Sequence, residues 1–280
     1  MSVGTDLGIF LVCIVAGLIG ALAGIGGGLI VVPALTIGFG IDIRLAIGAS
    51  IVSVIATSSG AAAAYVRDRM TDMRIGMFLE LATTTGAIFG ALLAAVVAPG
   101  SLLVLLGIVL LGSAAQQVVR LGQELPAEAP LSGLAARLRL SGSYPDVPLG
   151  REVHYSAQRV PLGFGLMGLA GLVSGLLGVG SGTLKVLAMD GAMHIPMKVS
   201  SATSNFMIGV TAAASAGIYL SRGDVDPTIA TPVALGVLAG SVAGARLLPR
   251  LSNRHVRLLF LPILIAIGLE SLARGLGIGS

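Results

Sequence analysis

Charged residues make up only 11% of this 280-residue sequence, against about 25% in an average soluble domain. With 55% hydrophobic residues and a mean hydropathy of +0.98, that scarcity excludes a water-soluble domain and implies an integral membrane protein. Cysteine occurs once, as Cys13, which rules out an internal disulfide and a cysteine metal cluster. Lys and Arg are missing from residues 1–23. A secretory signal needs a basic leading region and a shorter apolar run, so this stretch reads as a first membrane segment. His-Glu-x-x-His, a nucleophile elbow and a Cys/His cluster are all absent. No enzyme constellation emerges, and neither a cofactor nor a metal is expected. The net charge of +4 comes mostly from arginines between apolar runs. They read as topology signals, not as a nucleic-acid surface.

What the sequence has in quantity is glycine, 41 residues of it, which suits close helix packing in lipid. Its apolar runs are helix-length, about 20 residues, rather than the alternating strands of an outer-membrane barrel. The first half holds segments at 4–23, 29–40, 45–66, 75–98 and 101–119. A polar stretch, 120–158, follows, and its 131–140 portion reads as a short amphipathic helix. The second half holds segments near 160–177, 183–194, 199–220, 228–248 and 256–275. The second segment of each half is too short to span a hydrocarbon core of about 30 Å in the ordinary way. Expected domains are a first transmembrane repeat (1–119), a cytoplasmic linker (120–158) and a second transmembrane repeat (159–280).

The halves are repeats. An offset of 154 residues lays Gly24-Ile25-Gly26-Gly27-Gly28 on Gly178-Val179-Gly180-Ser181-Gly182. It also pairs Arg44 with Lys198, Ser50 with Ser204, Thr57 with Thr211, Tyr65 with Tyr219 and Asp72 with Asp226. Arginines then set the orientation. The loop after the third segment carries Arg67, Arg69 and Arg74 in the first half but only Arg222, beside Asp224 and Asp226, in the second. The loop after the fourth segment is uncharged around Pro99 but carries Arg250, Arg254 and Arg257 in the second half. The positive loop has moved by one segment, so the expected fold is an all-α membrane protein built of two inverted-topology repeats. The same argument puts the linker in the cytoplasm. It leaves open whether each short segment crosses or is re-entrant.

Glycine-broken segments at matching places in two repeats point to a transporter site near mid-membrane. A broken helix in lipid leaves backbone N–H groups to face protein, water or a ligand, and a helix start is electropositive. In Gly178-Val179-Gly180-Ser181-Gly182-Thr183-Leu184-Lys185 a lysine follows the break within one turn, and an intramembrane charge normally has a task. The candidate anion site therefore comprises Lys185, Ser181, Gly180 and Gly182, with Gly26 and Gly27 of the first repeat. Polar groups of the third segments join it: Ser204, Asn205 and Thr211, with Ser50, Ser53 and Thr57. The alternative for those hydroxyls is bonding to their own helix or to a neighbour. Glu80 and Glu270 are the acidic residues deepest in the predicted helices, and Glu80 is the candidate for proton coupling. Arg44 and Lys198, at the starts of the third segments, either guide anions from opposite faces or sit at the interfaces.

Several runs resemble the sulfite exporter TauE/SafE family of permeases. They are Gly142-Ser143-Tyr144, Leu149-Gly150-Arg151-Glu152-Val153, Arg159-Val160-Pro161-Leu162-Gly163, the stretch 171–185, and Ser201-Ala202-Thr203-Ser204-Asn205-Phe206-Met207-Ile208-Gly209-Val210-Thr211. Ser181 stands where that family usually has glycine. The resemblance implies an inner-membrane permease for a small anionic sulfur compound, such as sulfite or an organosulfonate like sulfoacetate. Its surroundings would be the lipid bilayer, with a homodimer as a candidate assembly. Rival functions are an anion channel, which can use the same dipoles and lysine, a transporter of another small organic anion, and a scaffold whose glycines serve packing alone.

Overall fold

The computed structural model describes residues 3–23, 26–119, 133–147, 149–178, 180–251 and 253–278. The linker portion 120–132, with Gly24, Ile25 and Val179 of the glycine clusters, lies outside them. In chain order the first half gives α1 (Val3–Ala23), α2 (Gly28–Pro33), α3 (Ile43–Arg67), α4 (Met73–Leu93) and α5 (Pro99–Val119). The linker gives α6 (Gly133–Leu138), β1 (Ser141–Asp146) and β2 (Arg151–Ser156). The second half gives α7 (Val160–Leu177), α8 (Gly182–Val186), α9 (Met197–Ser221), α10 (Pro227–Leu247) and α11 (Asn253–Gly275). Helix bounds of the halves follow the 154-residue offset: Ile43–Arg67 maps onto Met197–Ser221 and Met73–Leu93 onto Pro227–Leu247.

Helix starts have local causes. Asp42, Asp72 and Asp226 cap α3, α4 and α10, each carboxylate accepting from backbone amides two or three residues on, at 2.8–3.0 Å. The short helices α2 and α8 each run on into a wide π-helical turn, Ala34–Gly38 and Leu187–Ala192. Pro33 precedes the first of these turns and Leu187 opens the second, so proline is not what causes the widening. Residues 28–38 reach only about 16 Å at 1.5 Å per residue.

Five of the described helices are long and apolar enough to cross a membrane: α1, α3, α4, α7 and α10. At 25 residues α9 is as long as α3 but more polar. It buries Lys198, Ser200, Ser201, Thr203, Ser204 and Asn205 against protein, which is how an intramembrane helix tolerates such a sequence. Helices α3 and α9 form the centre, in contact with each other and with α10 and α4 respectively.

Glycine sets the outer packing. The first helix of each half lies along the fourth helix of the other, α1 on α10 and α7 on α4. A Cβ at Gly236, Gly240 or Gly244 would meet the carbonyls of Phe10, Ile14 and Leu18 at 2.4, 1.9 and 2.5 Å. Across the other pair, Gly86 and Gly90 face Gly168 O and Leu172 O at 2.2 and 2.0 Å. These small-residue ladders let the backbones touch, and their rising registers make both pairs parallel. By contrast α5 and α11 are antiparallel: Gly107 meets Gly268, and Gly100 meets Gly275.

The linker departs from expectation. The amphipathic helix survives only as the short α6, and next to it stands an antiparallel hairpin with Ser141 opposite Ser156 and Asp146 opposite Arg151. The sequence reading contains no strands there. The hairpin is also docked, not free. Tyr155 donates to Asp72 Oδ2 at 3.0 Å, and burial, followed by the Asp72 charge, pushes that phenol above its usual range. Asp146 is buried against Lys198 at 3.0 Å.

Candidate functional site

Left-handed backbone makes the break before α8. Gly178, Gly180 and Ser181 have φ of 62°, 73° and 43°, a conformation glycine adopts freely and serine rarely. The first repeat does the same at Gly26, φ 68°. The two breaks converge on one apolar pair: a Cβ at Gly26 would meet Ile208 at 2.8 Å and Val54 at 3.5 Å, and one at Gly180 would meet Val54 at 2.8 Å and Ile208 at 3.5 Å. Val54 and Ile208 are themselves 154 residues apart.

Carbonyls freed at the ends of α1 and α7 are satisfied by matched tyrosines. Tyr65 donates to Ala21 O at 2.8 Å, and its equivalent Tyr219 to Gly175 O at 2.6 Å. Asn205 Nδ2 also donates to Ala21 O, at 2.7 Å. At the start of α2, Gly27 N donates to Thr57 Oγ1 at 3.1 Å, covering one of the amides a helix start leaves open.

The halves differ in charge. Lys185, on α8, is fully buried. Its ammonium donates to Thr211 Oγ1 on α9 and lies 3.8 Å from Glu80 Oε2 on α4. Thr211 in turn donates to Glu80 Oε1 at 2.6 Å, and Thr84 donates to the same oxygen at 2.9 Å. Thr211 is thus a bridge between the charges, while its equivalent Thr57 caps a helix. Val31 and Ala234 occupy the positions equivalent to Lys185 and Glu80, so the ion pair exists once. Sequence reading placed Lys185 and Thr211 in the site but not their partnership with Glu80. Only the fold brings α4 of one half beside α8 of the other.

Of the remaining candidates, Ser50 donates to Gly178 O at 2.9 Å and Ser204 contacts Gly182 O at 3.4 Å, so both line the second break. Ser53 donates to Ser50 O and Thr57 to Ser53 O, within their own helix. Buried polar atoms without a hydrogen-bond partner gather around α8: Ser181 Oγ, Thr183 Oγ1, Asn205 Oδ1 and Glu80 Oε2, the last held only by its ion pair with Lys185. Thr183 was not among the sequence candidates. Glu270, within α11, is half exposed and paired with Arg274 at 2.9 Å, one helical turn on. Among the described residues no cluster of metal-ligating side chains occurs.

A lysine at a helix break, hydroxyls and an amide are the kinds of donor an anion site needs, and the carboxylate beside the lysine balances its charge. Residues 9–271 match the family model described as "Sulfite exporter TauE/SafE". The chain is similar to the "Probable membrane transporter protein YunE" of Bacillus subtilis (strain 168), 26% identical over 94% of this chain and 96% of that protein. It is also similar to "Probable membrane transporter protein YdhB" of the same organism, 27% identical over 85% of this chain and 88% of that protein. No solved structure gives a significant match.

Proposed function

Since the chain belongs to the sulfite exporter TauE/SafE family of multi-pass membrane transporters, we propose that it is a secondary transporter of a small sulfur-containing anion, working by alternating access around Lys185. The observation that carries the reading is the buried Lys185–Thr211–Glu80 network beside a glycine break. In lipid an ion pair that serves no purpose is a cost. Here the lysine is the attractor for a sulfite or sulfonate oxygen. Ser181, Thr183, Ser204 and Asn205 offer the neighbouring polar contacts.

Glu80 sets the condition for binding. With Glu80 ionised, Lys185 is already neutralised, and an arriving anion would leave net negative charge in the membrane. Protonation of Glu80 releases the ammonium to the substrate, and its carboxyl O–H then becomes a donor. One proton therefore accompanies one anion charge through the site.

Inverted repeats supply the two access states. Equivalent helices α5 and α11 run antiparallel, and the first helix of each half runs parallel to the fourth of the other, as two oppositely oriented repeats require. The arginine pattern supports a cytoplasmic position for the 120–158 linker. The repeats would rock about the contact that the two breaks share at Val54 and Ile208.

The test is a thermal-stability panel on purified protein with sulfite, sulfoacetate, sulfate, taurine and acetate. A ligand at 100 times its dissociation constant stabilises by about 2.7 kcal/mol. One sulfur anion should stabilise the wild type and not Lys185→Met. An equal response from the variant refutes the lysine-centred site. Proteoliposome flux that never saturates would identify a channel instead.

A further inference from the structure

A second basic site lies at the opposite end of α9 from the hairpin. A cavity of about 180 Å³ is lined by Arg44 and Ile47 of α3, Ala94 and Ala95 after α4, Leu102 of α5, and Tyr219, Arg222 and Asp224 at the end of α9. That volume equals the liquid share of about six water molecules, room for a sulfonate-sized anion. Arg222 is held over it by two contacts: its guanidinium lies 5.8 Å from the Tyr219 ring centroid and reaches Leu92 O at 3.5 Å. Ile47, which lines the cavity, also lies against Gly178 at the break.

The repeat tells what an anion does at this position. Lys198 is the equivalent of Arg44, and it is buried with a carboxylate on it. Asp146 Oδ2 accepts from Lys198 Nζ and from the Tyr144 hydroxyl, both at 3.0 Å, while Leu149 N donates to Oδ1 at 3.2 Å. The hairpin thus delivers an internal anion to the cation at the start of α9. Arg44, at the start of α3, is exposed, and neither it nor Arg222 has a carboxylate partner among the described residues. Asp224 lines the same cavity, leaving two cations against one carboxylate.

We propose that the Arg44–Arg222 cavity binds a small oxyanion of the carboxylate or sulfonate class, as the vestibule through which the transported anion reaches the glycine break from the face opposite the hairpin. The vestibule rests on the reading of the chain as an anion carrier, but its occupancy can be measured without transport. Ala95 is exposed at the cavity, and Cys13 is the sole cysteine and is buried. An Ala95→Cys reporter in a Cys13→Ala background is therefore read by its rates of modification with an anionic (sulfonatoethyl) and a cationic (trimethylammonioethyl) methanethiosulfonate.

With each rate divided by that reagent's rate toward free cysteine, the expected result is that the anionic reagent reacts about tenfold faster than the cationic one, that millimolar sulfoacetate slows it, and that the preference collapses in Arg44→Gln with Arg222→Gln. The double lysine variant, Arg44→Lys with Arg222→Lys, should retain the preference, which separates charge from fold damage. Lys185→Met should retain it too while losing transport, so failure of the central site and failure of the vestibule are distinguishable. Equal rates for the two reagents, a preference unchanged by the glutamine variants, or no effect of sulfoacetate overturns the proposal.

Discussion

Consider what happens when Lys185 is replaced by methionine, which keeps most of the side chain's length and removes its charge. Lys185 is 0% exposed and the Glu80 side chain 7%, with the charged atoms 3.8 Å apart. At an effective dielectric constant of about 20, two unit charges at that separation attract by about 4 kcal/mol. Removing one member of a buried pair typically costs about 3–5 kcal/mol, because the other is left uncompensated. Lys185→Met should therefore lose about 4 kcal/mol. Glu80→Gln should lose a little less, since the amide oxygen can still accept from Thr211 and Thr84. The double variant removes both charges and should sit within about 1 kcal/mol of the wild type, because a neutral pair in a dry site is no worse than an ionic one. The resulting coupling energy of about 6–7 kcal/mol corresponds to more than 10,000-fold in an unfolding constant. It is read from equilibrium unfolding in mixed detergent micelles, titrating with dodecyl sulfate. Losses that simply add, with coupling below about 0.5 kcal/mol, would refute the claim that these charges form one unit, and with it the joint passage of proton and anion built on Glu80.

Other perturbations follow the same logic. Gly180→Ala should cost about 1–3 kcal/mol in the same titration, since its Cβ would meet the stiff Val54 side chain at 2.8 Å and its φ is 73°. Gly26→Ala should cost less, because its obstacle is the movable end of Ile208; the reverse order would refute the packing argument. Asp146→Asn leaves Lys198 buried without a counter-charge and should cost about 3–5 kcal/mol, with faster proteolysis of the hairpin as a second readout. Tyr219→Phe removes the side-chain donor to Gly175 O and should cost about 1–2 kcal/mol, while Tyr65→Phe should cost less, because Asn205 still donates to Ala21 O. The Thr228 hydroxyl, and then its backbone amide, hold the Asp226 carboxyl below its ordinary value of 3.8. Its stabilising effect is therefore full above that pH and fades as the pH falls through the lowered folded value. In melts below pH 3.8, wild type should lose stability more steeply than Asp226→Asn.

Repetition made much of the membrane architecture legible in advance. A gap-free 154-residue offset needs no knowledge of contacts, and the helices Ile43–Arg67 and Met197–Ser221 obey it, each extending the expected segments 45–66 and 199–220 by two residues at the start and one at the end. Lys185 stood out because a charge in an apolar run is rare. Glu80 could be suspected only on depth, because its tie to Thr211 joins residues 131 positions apart. Thr183 was invisible: a buried hydroxyl without a partner looks, in sequence, like any threonine on a helix. The hairpin was missed for a related reason. Ser141–Asp146 and Arg151–Ser156 lack a clean apolar alternation, and their order comes from docking on Asp72 and Lys198, not from strand propensity.

The exchange of partners between the halves has a consequence for biosynthesis. Helix α1 packs along α10, yet about 200 residues separate the end of one from the start of the other. At a synthesis rate of roughly 5–20 residues per second, α1 waits in the bilayer for about 10–40 s with its glycine-matched face unpartnered. Neither half can close on itself in the meantime. A ribosome that stops inside the second half would leave an exposed helix face, suited to capture by membrane quality control. Two separately expressed halves, on the other hand, should find each other, because each holds what the other lacks.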